Sequence, residues 1–275
     1  MNYKSMIGLG VAGNFAGHLE QAGEANDFLV VEVQESTEPK AIFPFYIPSQ
    51  NAGFLSTYPL SSNTINTPTD NSDNLQIEPE VAIIFDIEYH EKMVSALKPV
   101  AFAAYNDCSI RKPGAKKICE KKNWGPETKG ISDTTIELAS IDVGQKLDRF
   151  RIACFHQREG QTHDYGVDSP VVGYSYFHQK LVNWIIDKMN NQADFGPMNN
   201  IYSLIQQADY PKQAVISIGA TRYTEYGTSH FLQTGDKSIV VVYDGLLHSE
   251  QQIKQRVINN TLDVEGISAL IQNVI

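Results

Sequence analysis

Glu78 and Glu80 sit two residues apart in Ile77–Ile87, IEPEVAIIFDI, a stretch rich in β-branched and aromatic residues. In an extended strand, residues i and i+2 leave the same face, so the two carboxylates stand side by side. Neighbouring carboxylates repel unless a proton or a cation is shared between them. A hard divalent ion such as Mg²⁺, held by carboxylates and waters, meets that need. A lone Glu-x-Glu is also the ordinary wet face of a half-buried strand, so chelation requires a third oxygen ligand. Asp107 is the candidate, at the end of the apolar segment AFAAYND (101–107). Arg111 follows, then Lys112, Lys116, Lys117, Lys121, Lys122 and Lys129, in an otherwise acidic chain. Such a run is ordinarily a solvated loop. Beside a metal it would act as an electrostatic funnel for a small anionic substrate.

A second motif competes for the function. Gly8-Leu9-Gly10-Val11-Ala12-Gly13 satisfies GxGxxG, with Glu32 following at the end of an apolar run. In a dinucleotide-binding unit these glycines would let a pyrophosphate approach a helix N-terminus, making the chain an NAD(P)-dependent oxidoreductase. The strand before Gly8 is thinly supplied, the following helix would contain Gly17 and Gly23, and no further β-α unit follows. The simpler expectation is a tight strand-to-helix turn.

The elements that must position these residues read as a β-rich α+β chain. Met6–Val11, Phe28–Val33, Ile77–Ile87, Thr134–Leu138, Phe150–Phe155, Val171–Tyr176, Gln213–Gly219 and Ser238–Tyr243 have strand character. Lys98–Asn106 is apolar enough for either type. Helices are expected over 14–25, with Asn14 as N-cap, over 179–189 and 200–207, and in amphipathic form over 248–258 and 266–275. Residues 38–69, rich in Pro, Ser, Thr and Asn, read as extended segments and turns. Neither an internal repeat nor a convincing linker divides the chain.

Composition narrows the function classes. The chain has 275 residues, 42% of them hydrophobic and 20% charged, as in ordinary globular proteins. A formal net charge of −10 argues against nucleic acid as the main partner. Apolar runs are too short to span a bilayer, and the first residues lack the apolar core of a secretory signal. Three scattered cysteines make neither a disulfide framework nor a zinc cage. These features predict a cytoplasmic protein without membrane partners.

The ordered succession Asn14-Phe-Ala-Gly-His18, Glu78-Pro-Glu80, Asn106-Asp107-x-x-x-Arg111, Lys122-Asn-Trp124, Ile216-Ser-Ile-Gly219-Ala-Thr221 and Phe231-Leu-Gln-Thr-Gly235-Asp236 resembles the fumarylacetoacetate hydrolase-like superfamily. The resemblance implies one catalytic domain over 1–275, with about 1–50 a small N-terminal subregion. It also implies a distorted β roll with peripheral helices, assembled as a homodimer. Glu78, Glu80 and Asp107 would hold Mg²⁺ or Mn²⁺, and the substrate would be a small 2-oxo or diketo acid. Hydrolysis of a C–C bond or decarboxylation would proceed through a metal-stabilised enolate. Lys122 and His18 would be catalytic, with Glu20 or Glu24 as partner to His18. Arg111, Gly219 and Thr221 would bind substrate. The chain departs from the family pattern at Gln21, where the hydrolases carry the dyad glutamate. Gly13 replaces an arginine, Ala220-Thr221 replaces Thr-Pro, and the aromatic–glutamine pair after Arg111 is missing. A non-catalytic metabolite-binding member is the reading those departures motivate.

Overall fold

A computed structural model describes residues 1–69, 74–112 and 114–275. From the N-terminus run strands β1 (Ile7–Ala12), β2 (Ala41–Tyr46), β3 (Leu60–Ser61), β4 (Thr64–Ile65), β5 (Asn74–Gln76), β6 (Pro79–His90) and β7 (Met93–Asn106). Then come β8 (Ser109–Arg111), β9 (Lys129–Ile131), β10 (Ile136–Glu137), β11 (Phe150–Arg158), β12 (Gln161–Pro170), β13 (Gln213–Ser217), β14 (Lys237–Asp244) and β15 (Ile267–Val274). The α-helices are α1 (His18–Gln21), α2 (His178–Asn191), α3 (Ile201–Gln207), α4 (Glu225–Ser229) and α5 (Glu250–Ile258).

One sheet runs β2-β1-β13-β6-β7-β9-β3, with β10 also on β7, and a second runs β12-β11-β14-β15-β4. The inner faces of both sheets and helices α2 and α3 share the main core, which includes Leu9, Val81, Phe102, Ile185, Ile205, Val240 and Leu270. This is the expected β-rich α+β arrangement. Aliphatic and β-branched residues dominate the long hairpin β6–β7 because both faces of its central part are covered, so every position there is dry. No helix among the described residues is long and apolar enough to cross a membrane.

Several local expectations are corrected. Residues 267–274 form strand β15, not a helix; β14 pairs along one edge and β4 along the other. Ser268 and Gln272 are polar yet fully buried, so the large apolar residues fall at 267, 270, 271 and 274, the spacing of a helix. Phe28–Val33 is a short 3₁₀ turn and coil rather than a strand, with Leu29 80% exposed. Both edges of β1 are already taken by β2 and β13, which leaves no place beside it. Val171–Tyr176 is likewise a turn; the strand there is the more polar β12, paired with β11. The helix expected over 14–25 shrinks to α1, and Asn14 does not cap it. Instead its side chain donates to the carbonyls of Tyr176 (3.0 Å) and Ile218 (2.8 Å) and accepts from the Tyr176 N–H (2.8 Å).

The N-terminal glycines serve packing rather than a nucleotide. Gly8 and Gly10 lie inside buried β1, not in a loop before a helix. A Cβ on Gly8 would fall 2.3 Å from the Phe45 ring, and one on Gly10 2.3 Å from the Phe43 ring. The strand is bare so that two aromatic rings from its neighbour β2 can lie across it. Only Gly13, at φ +76°, makes the turn after the strand. Glu32 lies in coil after that region, so no ribose-binding acid stands at a strand end. Accordingly, Gly8→Ala should destabilise the fold by about 1–3 kcal/mol, the usual penalty of overpacking. Thermal melts should show the loss, and fluorescence titration with NADH should show no binding to the unmodified chain.

Candidate metal centre

The open end of hairpin β6–β7 brings the three acids together. Its register sets Pro79 opposite Asn106 and Glu80 opposite Tyr105. One step beyond, the Asp107 N–H donates to the Glu78 carbonyl at 2.9 Å, and the Glu78 N–H donates to Asn106 Oδ1 at 3.0 Å. The amide of Asn106 then reaches the other sheet, donating to Ser238 Oγ on β14 (3.1 Å) and Gln272 Oε1 on β15 (3.2 Å). Residues 218–221 run beside the start of β6, through Ile218 N–H to the Val81 carbonyl and Thr221 N–H to the Pro79 carbonyl. That path lets the Gly219 N–H donate to Glu80 Oε2 at 2.8 Å. Gly219 has φ +118°, and a Cβ there would press on Asn14 at 3.0 Å, so the position needs glycine.

Two lysines complete the cluster. In Lys122-Asn123-Trp124, the Asn123 amide donates to the carbonyls of Phe45 and Thr57, and the Trp124 indole donates to the Asn66 carbonyl. This anchorage holds Lys122 Nζ 2.6 Å from Glu78 Oε2 and 2.6 Å from Asp107 Oδ2. Lys129, on β9, lies 2.6 Å from Asp107 Oδ1 and also donates to the Asp107 and Cys108 carbonyls. Each ammonium stands over an aromatic ring, Lys122 over Phe43 at 5.2 Å and Lys129 over Phe45 at 5.8 Å. The rings that Gly8 and Gly10 make room for are therefore the floor under both cations.

The other expected site residues fall in distinct places. His18 is buried, and its Nδ1 lies 2.9 Å from the Thr221 carbonyl. A carbonyl only accepts, so Nδ1 carries the proton and Nε2 the lone pair. Burial, more than the neighbouring charges, pulls the His18 pKa down and keeps the ring neutral. Gln21 clamps a backbone: its Oε1 accepts from the Tyr223 N–H at 2.9 Å and its Nε2 donates to the Tyr223 carbonyl at 3.2 Å. A carboxylate could not make the second bond. Glu20 is exposed and stands apart from the cavity; the acid lining it from this segment is Glu24. Arg111 joins Glu24 Oε1 (2.7 Å), Glu78 Oε1 (3.0 Å), Gln76 Oε1 (2.7 Å) and Tyr223 OH (3.2 Å). Its guanidinium thus holds two acids, Glu24 and Glu78, and among the described residues it makes no ion pair with Asp107. Thr221 Oγ1 is buried without a hydrogen-bond partner among the described residues. Sequence reading missed Lys129 as a site residue, since one lysine in a basic run carries no mark of burial.

These groups surround a cavity of about 20 Å³, the room of roughly one water or one ion. Ligand oxygens of Glu78, Glu80 and Asp107 all lie within 4.8 Å of one another, and all three residues are buried. Four carboxylates, counting Glu24, meet four cations, Arg111, Lys121, Lys122 and Lys129, but unevenly: among the described residues no cation stands within 4 Å of Glu80. The imbalance is visible in the titration of individual groups. Burial, followed by the charges of Asp107 and Glu78, pushes Glu80 well above the ordinary carboxylate range. Glu78 moves the opposite way: burial would raise it, but Lys122 and Arg111 overcome that and hold it ionised. Burial alone would lower Lys122, yet Asp107 and Glu78 raise it, so it stays charged. Glu78 Oε1 and Asp107 Oδ2 make close ion contacts but no hydrogen bond of good geometry, leaving lone pairs unused in a dry place. An all-oxygen donor set of three converging carboxylates fits a hard divalent ion.

Residues 24–274 match the family described as DUF5718, a family of unknown function, and the chain belongs to that family. No curated protein sequence matches it significantly. Solved structures place its fold. Cg1458, crystallised with an inhibitor, is 16% identical with a TM-score of 0.57, over 98% of this chain and 76% of that one. A 2-keto-3-deoxyarabinonate dehydratase is 13% identical with a TM-score of 0.54, over 98% and 73%. A protein of Oleispira antarctica described as a fumarylacetoacetate isomerase/hydrolase is 11% identical with a TM-score of 0.52, over 98% and 93%. The chain therefore has the fumarylacetoacetate hydrolase-like fold, in a divergent form, as its motifs suggested.

Lys129→Met should cost about 3–5 kcal/mol, the usual penalty for breaking a buried ion pair. Urea unfolding should register that loss, with Asp107→Asn in the same chain restoring part of it.

Proposed function

We propose that the chain is a Mg²⁺- or Mn²⁺-dependent hydrolase or lyase acting on a small 2-oxo or diketo acid. The observation that carries this reading is the buried convergence of Glu78, Glu80 and Asp107 beside a charged Lys122. These three acids would hold the ion, which when bound would supply Lewis-acid polarisation of the substrate's oxo group. Lys122, kept charged by Asp107 and Glu78, would place fixed positive charge where oxyanion character develops. The neutral His18, with its free lone pair on Nε2, would take or return a proton. Gly219 would set the direction of Glu80 rather than touch substrate, and Thr221 would set the His18 tautomer through its carbonyl. The similar dehydratase and a similar maleylpyruvate hydrolase of Sphingobium sp. SYK-6 (9% identical, TM-score 0.51) bear names of oxo-acid chemistry, which supports the substrate class.

Within that class we favour a lyase-type proton transfer over hydrolysis. The His18 Nδ1–H ends on a neutral carbonyl and Gln21 is committed to Tyr223, so among the described residues no carboxylate hydrogen-bonds the ring to support an imidazolium during water activation. Homodimeric assembly belongs to the same proposal and is checked by light scattering.

Thermal shift with Mg²⁺ or Mn²⁺, with and without oxalate as a chelating mimic, tests the metal site, since a ligand of the native state raises its stability. Stabilisation should appear in the unmodified chain and vanish in Asp107→Asn; equal stabilisation in that variant would falsify the ligand assignment. Because a proton on Glu80 competes with the ion, affinity should strengthen as pH rises through that group's raised range and weaken below it. Calorimetric titrations at several pH values would show this trend, with protons released on binding.

A further inference from the structure

Glu24 stands between the cavity of the three acids and the surface beside Arg111. Outside the cavity lies a bay of about 280 Å³, bordered by Arg111, Lys121 and Asp27, which has room for a short oxo acid. Among the residues lining these two spaces, Glu24 alone borders both. Its Oε1 lies 2.7 Å from Arg111 Nη1 and 3.5 Å from Lys121 Nζ. The other partners of Arg111 come from fixed parts of the fold: Gln76 on β5, Glu78 at the head of β6, and Tyr223 clamped by Gln21. Glu24 comes instead from a short segment set off by Gly17 and Gly23, both at positive φ (+84° and +71°). A Cβ on Gly23 would meet nothing within 4 Å, so the backbone conformation, and not crowding, calls for glycine there.

We infer that the Glu24 carboxylate is a place-holder for the carboxylate of the substrate, and that entry to the metal cavity is an exchange of one for the other on Arg111 and Lys121. The inference rests on the oxo-acid reading above. Departure of Glu24 alone would leave the buried Arg111 with one carboxylate, Glu78, whereas trading carboxylate for carboxylate keeps it doubly paired. An uncharged ligand offers no such exchange. Glu24 thereby selects for anions and, in the resting chain, weakens their binding by competing for the same seat.

Oxalate and pyruvate titrations by calorimetry, each in Mg²⁺ and in EDTA, on the unmodified chain, Glu24→Ala and Glu24→Gln, test this. Removal of the place-holder should tighten anion binding about fivefold or more in Glu24→Ala, by removal of a competing closed state, with a smaller gain in Glu24→Gln. Pyruvate in EDTA should follow the same order with weaker affinities. Glu24→Gln preserves size and shape, so it carries the test if Glu24→Ala does not fold. Unchanged or weaker anion binding in the variants, with Mg²⁺ dependence intact, would overturn the gate and leave the metal reading standing. Tightening in the variants with the same absolute affinities in Mg²⁺ and in EDTA would support the gate and overturn the metal reading. Absence of anion binding under all conditions would overturn both.

Discussion

The site depends on one buried contact, Asp107 between Lys122 and Lys129. An acid with 0% side-chain exposure and two ammonium groups at 2.6 Å is stable only as a set, because removal of any member strands a charge in a dry medium. The rest of the local structure can be read as what this set requires. Lys122 needs an anchored loop, which Asn123 and Trp124 provide. Both lysines need apolar floors that tolerate positive charge, which Phe43 and Phe45 provide. Those rings need a strand without side chains beneath them, which Gly8 and Gly10 provide.

Much of the site was legible in the sequence because its ligands are paired by short-range geometry. Glu78 and Glu80 share a face by strand periodicity alone, and Asp107 closes an apolar strand, so their convergence needed only one hairpin. Lys129 was hidden because burial of a lysine depends on a partner 22 residues away, which no local pattern encodes. Glu20 and Glu24 could not be ranked either. Their exposure is decided by whether the helix continues past Gln21, and it stops there.

The fold was legible where apolar spacing or β-branched runs match the element formed, and obscure where buried polar residues break that spacing. Helix α2 alternates at helical spacing and was placed within a residue or two. Strand β15 buries Ser268 and Gln272 among its apolar residues, whose remaining spacing passed for a helix. The GxGxxG motif shows the same limitation from another side. Glycine spacing records where side chains are excluded, and an aromatic ring excludes them as well as a pyrophosphate does.

Asn106 carries a consequence of its own. One side chain fixes the Glu78 backbone with its oxygen and grips both β14 and β15 with its nitrogen. The acids are therefore referenced to two sheets at once, as a keystone is referenced to both halves of an arch. Slippage of either sheet against the other misaligns the donor oxygens before the sheets themselves come apart. Distortion of the acid cluster thus comes ahead of global unfolding, and the spacing of the three carboxylates becomes a gauge of whether the two sheets remain in register.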